Sequence, residues 1–396
     1  MKRICLTIAG VLVACALAGC IFGSAGGSSE SQQSTSSVPK TPSVLTRISV
    51  SSSGAQGNGP SGYSKSVSSD GRYIAFNSDA TNLAQGDTNG LKDIFVRDLT
   101  TGTTTRVSVS SSGAQADGIS GSVGLTPDGR YVVFVSEATK LVPGDTNGLM
   151  DVFVRDLVKG TTTLVSVSNT GAQGDGDSSD CSISDDGRCV AFVSESANLV
   201  PGDTNGEQDV FVRDLVKGTT TRVSVGNTGT QADNWSDTPD ISSDGGHVVF
   251  LSEATNLVRG DTNGRQDVFV RDLEKRTTTR ASVSGTGVQG DLQSQNPDIS
   301  SDGRFVVFES NADDLVPGDT NRRNDIFVQD LVGGTTVRAS VGADGAQGND
   351  TSGNTAISSD GRYVVFDSLS SNLVPGDTNG FSDAFLRDMG APSKNP

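Results

Sequence analysis

The sequence predicts an all-β fold, a six-bladed β-propeller of four-stranded antiparallel blades, and three observations carry that expectation. The stretch GDTNGxxD recurs with its leading Asp at 87, 145, 203, 261, 319 and 377, an interval of 58 residues each time. A period in this range is the mark of a fold in which one supersecondary unit packs on the next. Within each unit an Asp-Gly pair sits between two apolar runs, at Asp70, Asp128, Asp186, Asp244, Asp302 and Asp360, where glycine supplies the positive φ of a tight two-residue hairpin connection. The two ends complement each other: the last unit stops after Asp383 to Asp388 without a final strand, while residues 46–50 (TRISV) match residues 105–109 (TRVSV) and have no strands before them. An N-terminal strand completing the last blade closes the ring and hides its edges.

Taken in order, the chain of 396 residues begins with Met1, Lys2 and Arg3, then an apolar run over 4–17, then Leu17 Ala18 Gly19 Cys20. This is a secretory leader, and its end looks like a bacterial lipobox. Residues 1–19 are thus expected to be a signal peptide, with Cys20 the lipid attachment site. Residues 20–44 are rich in Ser, Gly and Gln and are expected to form a disordered tether with a mean reach of about 25–30 Å. Residues 45–389 form the propeller and 390–396 a disordered tail.

Each unit supplies four strands. The middle two, such as Tyr131 Val132 Val133 Phe134 and Val152 Phe153 Val154, are apolar at consecutive positions, so both faces of the sheet must be covered. Residues 106–110 (RVSVS) alternate and are expected to be the outer, half-exposed strand. The SxDGR turn, YVVF strand and DVFVRDL strand resemble the WD40-like repeats of the TolB family over residues 46–389. That resemblance implies an envelope protein that binds other molecules through loops on one propeller face. No segment matches the separate domain that the TolB family carries ahead of its propeller, so the family's partners are not carried over.

The formal net charge is −17, and two units more negative without Lys2 and Arg3. Such a surface disfavours nucleic acid and anionic lipid and favours cations or basic partners. Exposed on one face should be the DTNG loops and a second repeated stretch, beginning GAQGN at Gly54 and recurring at Gly113, Gly171, Gly229, Gly287 and Gly345.

The DTNGxxD spacing gathers oxygen donors around a glycine turn, the donor type that calcium takes. The candidate ligands are Asp87, Asn89 and Asp93; Asp145, Asn147 and Asp151; Asp203, Asn205 and Asp209; Asp261, Asn263 and Asp267; and Asp377, Asn379 and Asp383. The same residues also suit a plain Asx turn. The copy at Asp319, with Arg322 in place of the turn glycine, is the poorest cation site. Ligand-face candidates are Trp235, Asp240 and Asp298; the two acids fall on neighbouring innermost strands and Trp235 lies just before Asp240.

A catalytic set is not found. His247, the one histidine, takes a strand position held elsewhere by Tyr, Phe or Cys, and lacks a second histidine to partner it. Cys181 and Cys189 flank one hairpin turn diagonally, a poor geometry for a bridge, and read as inert thiols. The reading is a non-enzymatic, monomeric, lipid-anchored cell-envelope scaffold, at the outer membrane if there is one, with a protein or glycan partner and calcium as its one candidate cofactor. Two alternatives stay open: a hydrolase or lyase using Asp240 and Asp298, and a purely structural envelope module.

Overall fold

A computed structural model describes residues 45–390. The leader, Cys20, the tether and the tail from 391 onward lie outside the described residues. Twenty-three strands, numbered β1–β23 in chain order, make six antiparallel sheets, and no helix occurs among the described residues. The first blade is β1 (Ser61–Val67), β2 (Tyr73–Ser78), β3 (Asp93–Asp98) and β4 (Thr103–Arg106), paired in that order. The next four blades repeat it. The sixth has three strands: β21 (Ser352–Ile357), β22 (Tyr363–Ser368) and β23 (Asp383–Asp388). The six-bladed all-β reading therefore holds.

The consecutive apolar residues of the middle strands give each blade two unlike faces. One carries a stacked phenylalanine pair, Phe134 and Phe153 in blade two at 5.7 Å between ring centroids, and every blade has the same pair. The other face is aliphatic, and Ala75, Ile94 and Val96 of blade one pack on Val132, Phe134 and Phe153 of blade two. Full burial of one such phenylalanine contributes roughly 1.5–3 kcal/mol, so the repeated face-to-face contact is the main cohesive term between blades. The innermost strands β1, β5 (Ser120–Leu125), β9 (Ser178–Ile183), β13 (Ser236–Ile241), β17 (Ser294–Ile299) and β21 lie side by side in that order.

Three expectations are corrected. The Asp-Gly turn is a four-residue connection rather than a two-residue one: Ser68 N donates to Tyr73 O, and Asp70 Oδ1 accepts from Ser68 Oγ and Arg72 N. These side-chain bonds stabilise the longer loop, and Gly71 still has the positive φ, at 69°. The outer strand ends at Arg106, and Val107, Ser108, Val109 and Ser110 after it are all buried, because this segment runs between two blades and is covered on both sides.

The third correction concerns closure. Residues 46–50 do not join the sheet of β23; they lie against blade one, where Thr104 Oγ1 donates to Val50 O at 2.5 Å and Thr104 N to Ser52 Oγ at 2.9 Å. Thr162 holds Val109 O and Ser111 in the same way one blade on. This segment is tied to the blade that follows it, and so stays with blade one.

Candidate binding face and its buried network

The DTNG loop and the GAQ stretch meet on one face, as the sequence implies. Asn89 Oδ1 accepts from Leu91 N at 3.0 Å to close an Asx turn, while its Nδ2 donates to Ala116 O and Asp93 Oδ2. Gln115 Nε2 donates to Asp87 Oδ1 at 3.2 Å, and Ser108 Oγ to Asp93 Oδ1 at 2.5 Å. Gly90 turns the loop at φ 66°, and Arg322 adopts φ 54° in the fifth copy with its side chain out in solvent. Burial pushes the carboxyls of Asp87 and Asp93 upward despite these donors.

What the sequence reading missed is the cation already present. Arg106 Nη1 lies 3.3 Å from Asp87 and 3.6 Å from Asp93. Arg222 sits likewise between Asp203 and Asp209, Arg280 between Asp261 and Asp267, and Arg338 between Asp319 and Asp325. In those four copies a guanidinium fills the position a metal would take, so the donors do not suit calcium. The exception is blade two, where Leu164 stands in the arginine position and Asp145 and Asp151 share only Gln173 Nε2, at 2.7 and 2.8 Å. At blade six Asp383 keeps Asn379 Nδ2 at 2.9 Å, and the arginine of that register, Arg47, lies on blade one, bonded to Gln56. No group of three or more His, Cys, Asp or Glu side chains is placed to hold a metal among the described residues.

Asp240 and Asp298 do come together. Asp240 accepts Ser182 Oγ at 2.6 Å, and Asp298 accepts Ile299 N and Ile357 N at 2.8 and 2.9 Å. Burial first, and then the neighbouring Asp240, hold the Asp298 carboxyl well above the usual range. Trp235 is elsewhere: it stands at the opposite end of β13, five residues or about 16 Å from Asp240, and packs against the core between blades four and five. Trp235 and the two acids are therefore not one site.

A second acidic pair escaped the sequence reading. Asp180 and Asp237 face one another from β9 and β13 next to the bulges of those strands, Asp180 itself at φ 35°. Burial, and then Asp237, raise Asp180 to about 6. Ser122, Thr238, Asn296 and Asn354 occupy the same register and also have positive φ.

Solvent-facing acids are unevenly distributed. Asp117, Asp175, Asp233 and Asp291 are exposed at one repeat position, which is Asn58 in blade one and Asn349 in blade six. Their carboxylates accept backbone N–H groups of the adjacent loop, Lys140 N on Asp117, Ala197 N on Asp175 and Thr255 N on Asp233. Asn58 and Asn349 accept Thr81 N and Ser371 N with a neutral amide. Beside this row run Glu137, Glu195 and Glu253, where blade five has Asn311 and blade six Leu369. Blades two to four thus present a double row of carboxylates.

His247 is a packing residue, its ring lying over Gly303 of the next blade as Tyr73 lies over Gly129, with Nε2 3.5 Å from Asp272. Cys181 and Cys189 are free thiols, and burial pushes Cys189 up to about 11.

No protein-family model and no curated protein matches the chain. Solved structures do. TolB from Acinetobacter baumannii is 16% identical, with 76% of this chain and 61% of that one covered at TM-score 0.40. A putative TolB from Agrobacterium tumefaciens is 17% identical, with coverage of 84% and 91% at TM-score 0.43. The β-propeller domain of the trilobed protease from Pyrococcus furiosus, described as having an open velcro topology, is 11% identical, with 82% and 81% covered at TM-score 0.48. The chain spans less than two thirds of the Acinetobacter protein, and its likeness to all three is one of β-propeller fold.

Proposed function

We propose that this chain is a non-enzymatic cell-envelope scaffold, lipid-anchored through Cys20, that binds a cationic protein or glycan partner on the double carboxylate row of blades two to four. One observation carries the reading. Asn58 and Asn349 cap the same loop as Asp117, Asp175 and Asp233, so the cap does not need the negative charge, although Asp117 also pairs with Lys140 Nζ at 3.3 Å. Charge in excess of a structural need, repeated at one spacing on one face, is the footprint of an electrostatic partner. The DTNG-loop carboxylates of blades one, three, four and five are instead paired with arginine and glutamine. Calcium stabilisation is proposed at blade two, where Asp145 and Asp151 are buried and Asp145, Asn147 and Asp151 have no arginine.

The test compares proteins crosslinked to the full chain in membranes with those crosslinked to a variant carrying Asp117→Asn, Asp175→Asn, Asp233→Asn, Glu137→Gln, Glu195→Gln and Glu253→Gln. A basic partner captured by the first and lost from the second supports the reading; an unchanged set of captured proteins refutes it.

The pairing of Asp240 and Asp298 on neighbouring innermost strands supports a second reading, acid–base chemistry at those strands. Hydrolase activity that is lost in Asp240→Asn with Asp298→Asn would establish it, and activity indifferent to both would remove it.

A further inference from the structure

The two ends of the blade stack are the separated halves of the interface that joins every other pair of blades. At blade six, Ala384 is exposed and Leu386 is 48% exposed, whereas its counterparts Val96, Val154, Val212, Val270 and Val328 are 3–5% exposed. At blade one, Val67 is 48% exposed where Leu125, Ile241 and Ile299 are 6–8%. Gly129, Gly187, Gly245, Gly303 and Gly361 each lie against the ring or thiol of the preceding blade, from Tyr73 to Phe305, but Gly71 has nothing within 4 Å of the corresponding point. Tyr363 holds the matching ring position on blade six.

The polar half is divided in the same way. Asp93, Asp151, Asp209, Asp267 and Asp325 each accept a serine hydroxyl from the segment after the fourth strand. Asp383 is their counterpart, and Ser49 and Arg47 are the serine and arginine of that register, held on blade one. Among the described residues the outer edge of β23 is likewise unpaired: Phe95 pairs Arg106 and Val96 pairs Thr105, which maps Phe385 onto Arg47 and Leu386 onto Thr46.

Because residues 46–58 are bonded to blade one, they cannot reach blade six without carrying that blade along. We propose that blade six receives residues 46–58 and blade one of a second copy of this chain, joining copies head to tail. One chain would then offer its aliphatic face, Asp383 and Tyr363, and the next its Val67, Gly71, Ser49 and Arg47. A contact between two different patches of one molecule is heterologous and propagates unless its rotation closes, so the expected monomer gives way to an open series. The surface is separate from the carboxylate rows, and this proposal stands or falls independently of the proposed function.

The experiment is sedimentation velocity on the full chain in detergent. Wild type sediments as a concentration-dependent series of two or more chains. Leu386→Glu spoils one end and Val67→Lys the other, and each alone sediments as one chain. An equimolar mixture of the two retains one intact pair of ends and forms a species of two chains and no larger, which also shows that both variants are folded. Wild type at the mass of one chain at every concentration, as when the ring closes on itself, overturns the proposal. So does assembly that survives either substitution, or a mixture that stays single.

Discussion

Arg222 Nη1 lies 3.0 Å from Asp209 Oδ2, with both side chains almost wholly buried, and in blade two the corresponding pair is Leu164 and Asp151. Removing one partner of a buried ion pair leaves an uncompensated charge, at a cost of about 3–5 kcal/mol. Arg222→Leu is therefore expected to destabilise the protein by roughly 3 kcal/mol, while Leu164→Arg raises stability by supplying the missing guanidinium. Urea unfolding midpoints check both, and a destabilised Leu164→Arg would show that Asp145 and Asp151 do not need a guanidinium.

Calcium is tested on the same two residues. A ligand bound only to the folded state raises its stability. Calcium is expected to raise the melting temperature of wild type over chelator, and Leu164→Arg to abolish that rise. Equal melting temperatures for wild type would remove the metal from this protein.

Asp180 gives a pH signature. Its carboxyl is raised to about 6 from an ordinary 3.8 by burial and Asp237. The folded state therefore binds more protons than the unfolded one between these values, so this group's stabilisation is full below pH 3.8 and lost as pH rises through 6. Asp180→Asn should flatten the fall between pH 4 and 6 in a series of urea titrations. A slope in that window unchanged by the substitution would contradict the assignment.

The glycines of the Asp-Gly turns separate space from conformation. At Gly129 an added Cβ would fall 2.2 Å from the Tyr73 ring at φ 72°, whereas at Gly71 nothing lies within 4 Å at φ 69°. Gly71→Ala is expected to cost about 1 kcal/mol for the backbone alone, and Gly129→Ala to cost that and a displaced ring besides, as thermal or urea unfolding would show. Equal losses would mean that blade-to-blade packing at Tyr73 is looser than described.

The blades were legible in the sequence because their signals are local and repeated: consecutive apolar residues in β2 and β3, and a glycine at each turn. The turn length was not, since Ser68 and Tyr73 settle it through side-chain bonds that no dipeptide carries. Closure was illegible for a different reason. Whether residues 46–50 reach β23 depends on a rotation accumulated over six blades, and no window of sequence records it. At the DTNG loop the acids were plain but their cation was not, because Arg106 is 19 residues beyond Asp87 and meets it only through the fold. Leu164 was visible as the odd residue of its register once that register mattered.

An acidic face kept for a cationic partner should bind an oligolysine peptide when the full chain in detergent is titrated with it in a calorimeter. Saturable binding is expected, weakening steeply with added salt and falling about tenfold or more in the variant with Asn and Gln at Asp117, Asp175, Asp233, Glu137, Glu195 and Glu253. Equal affinity in wild type and variant would contradict it.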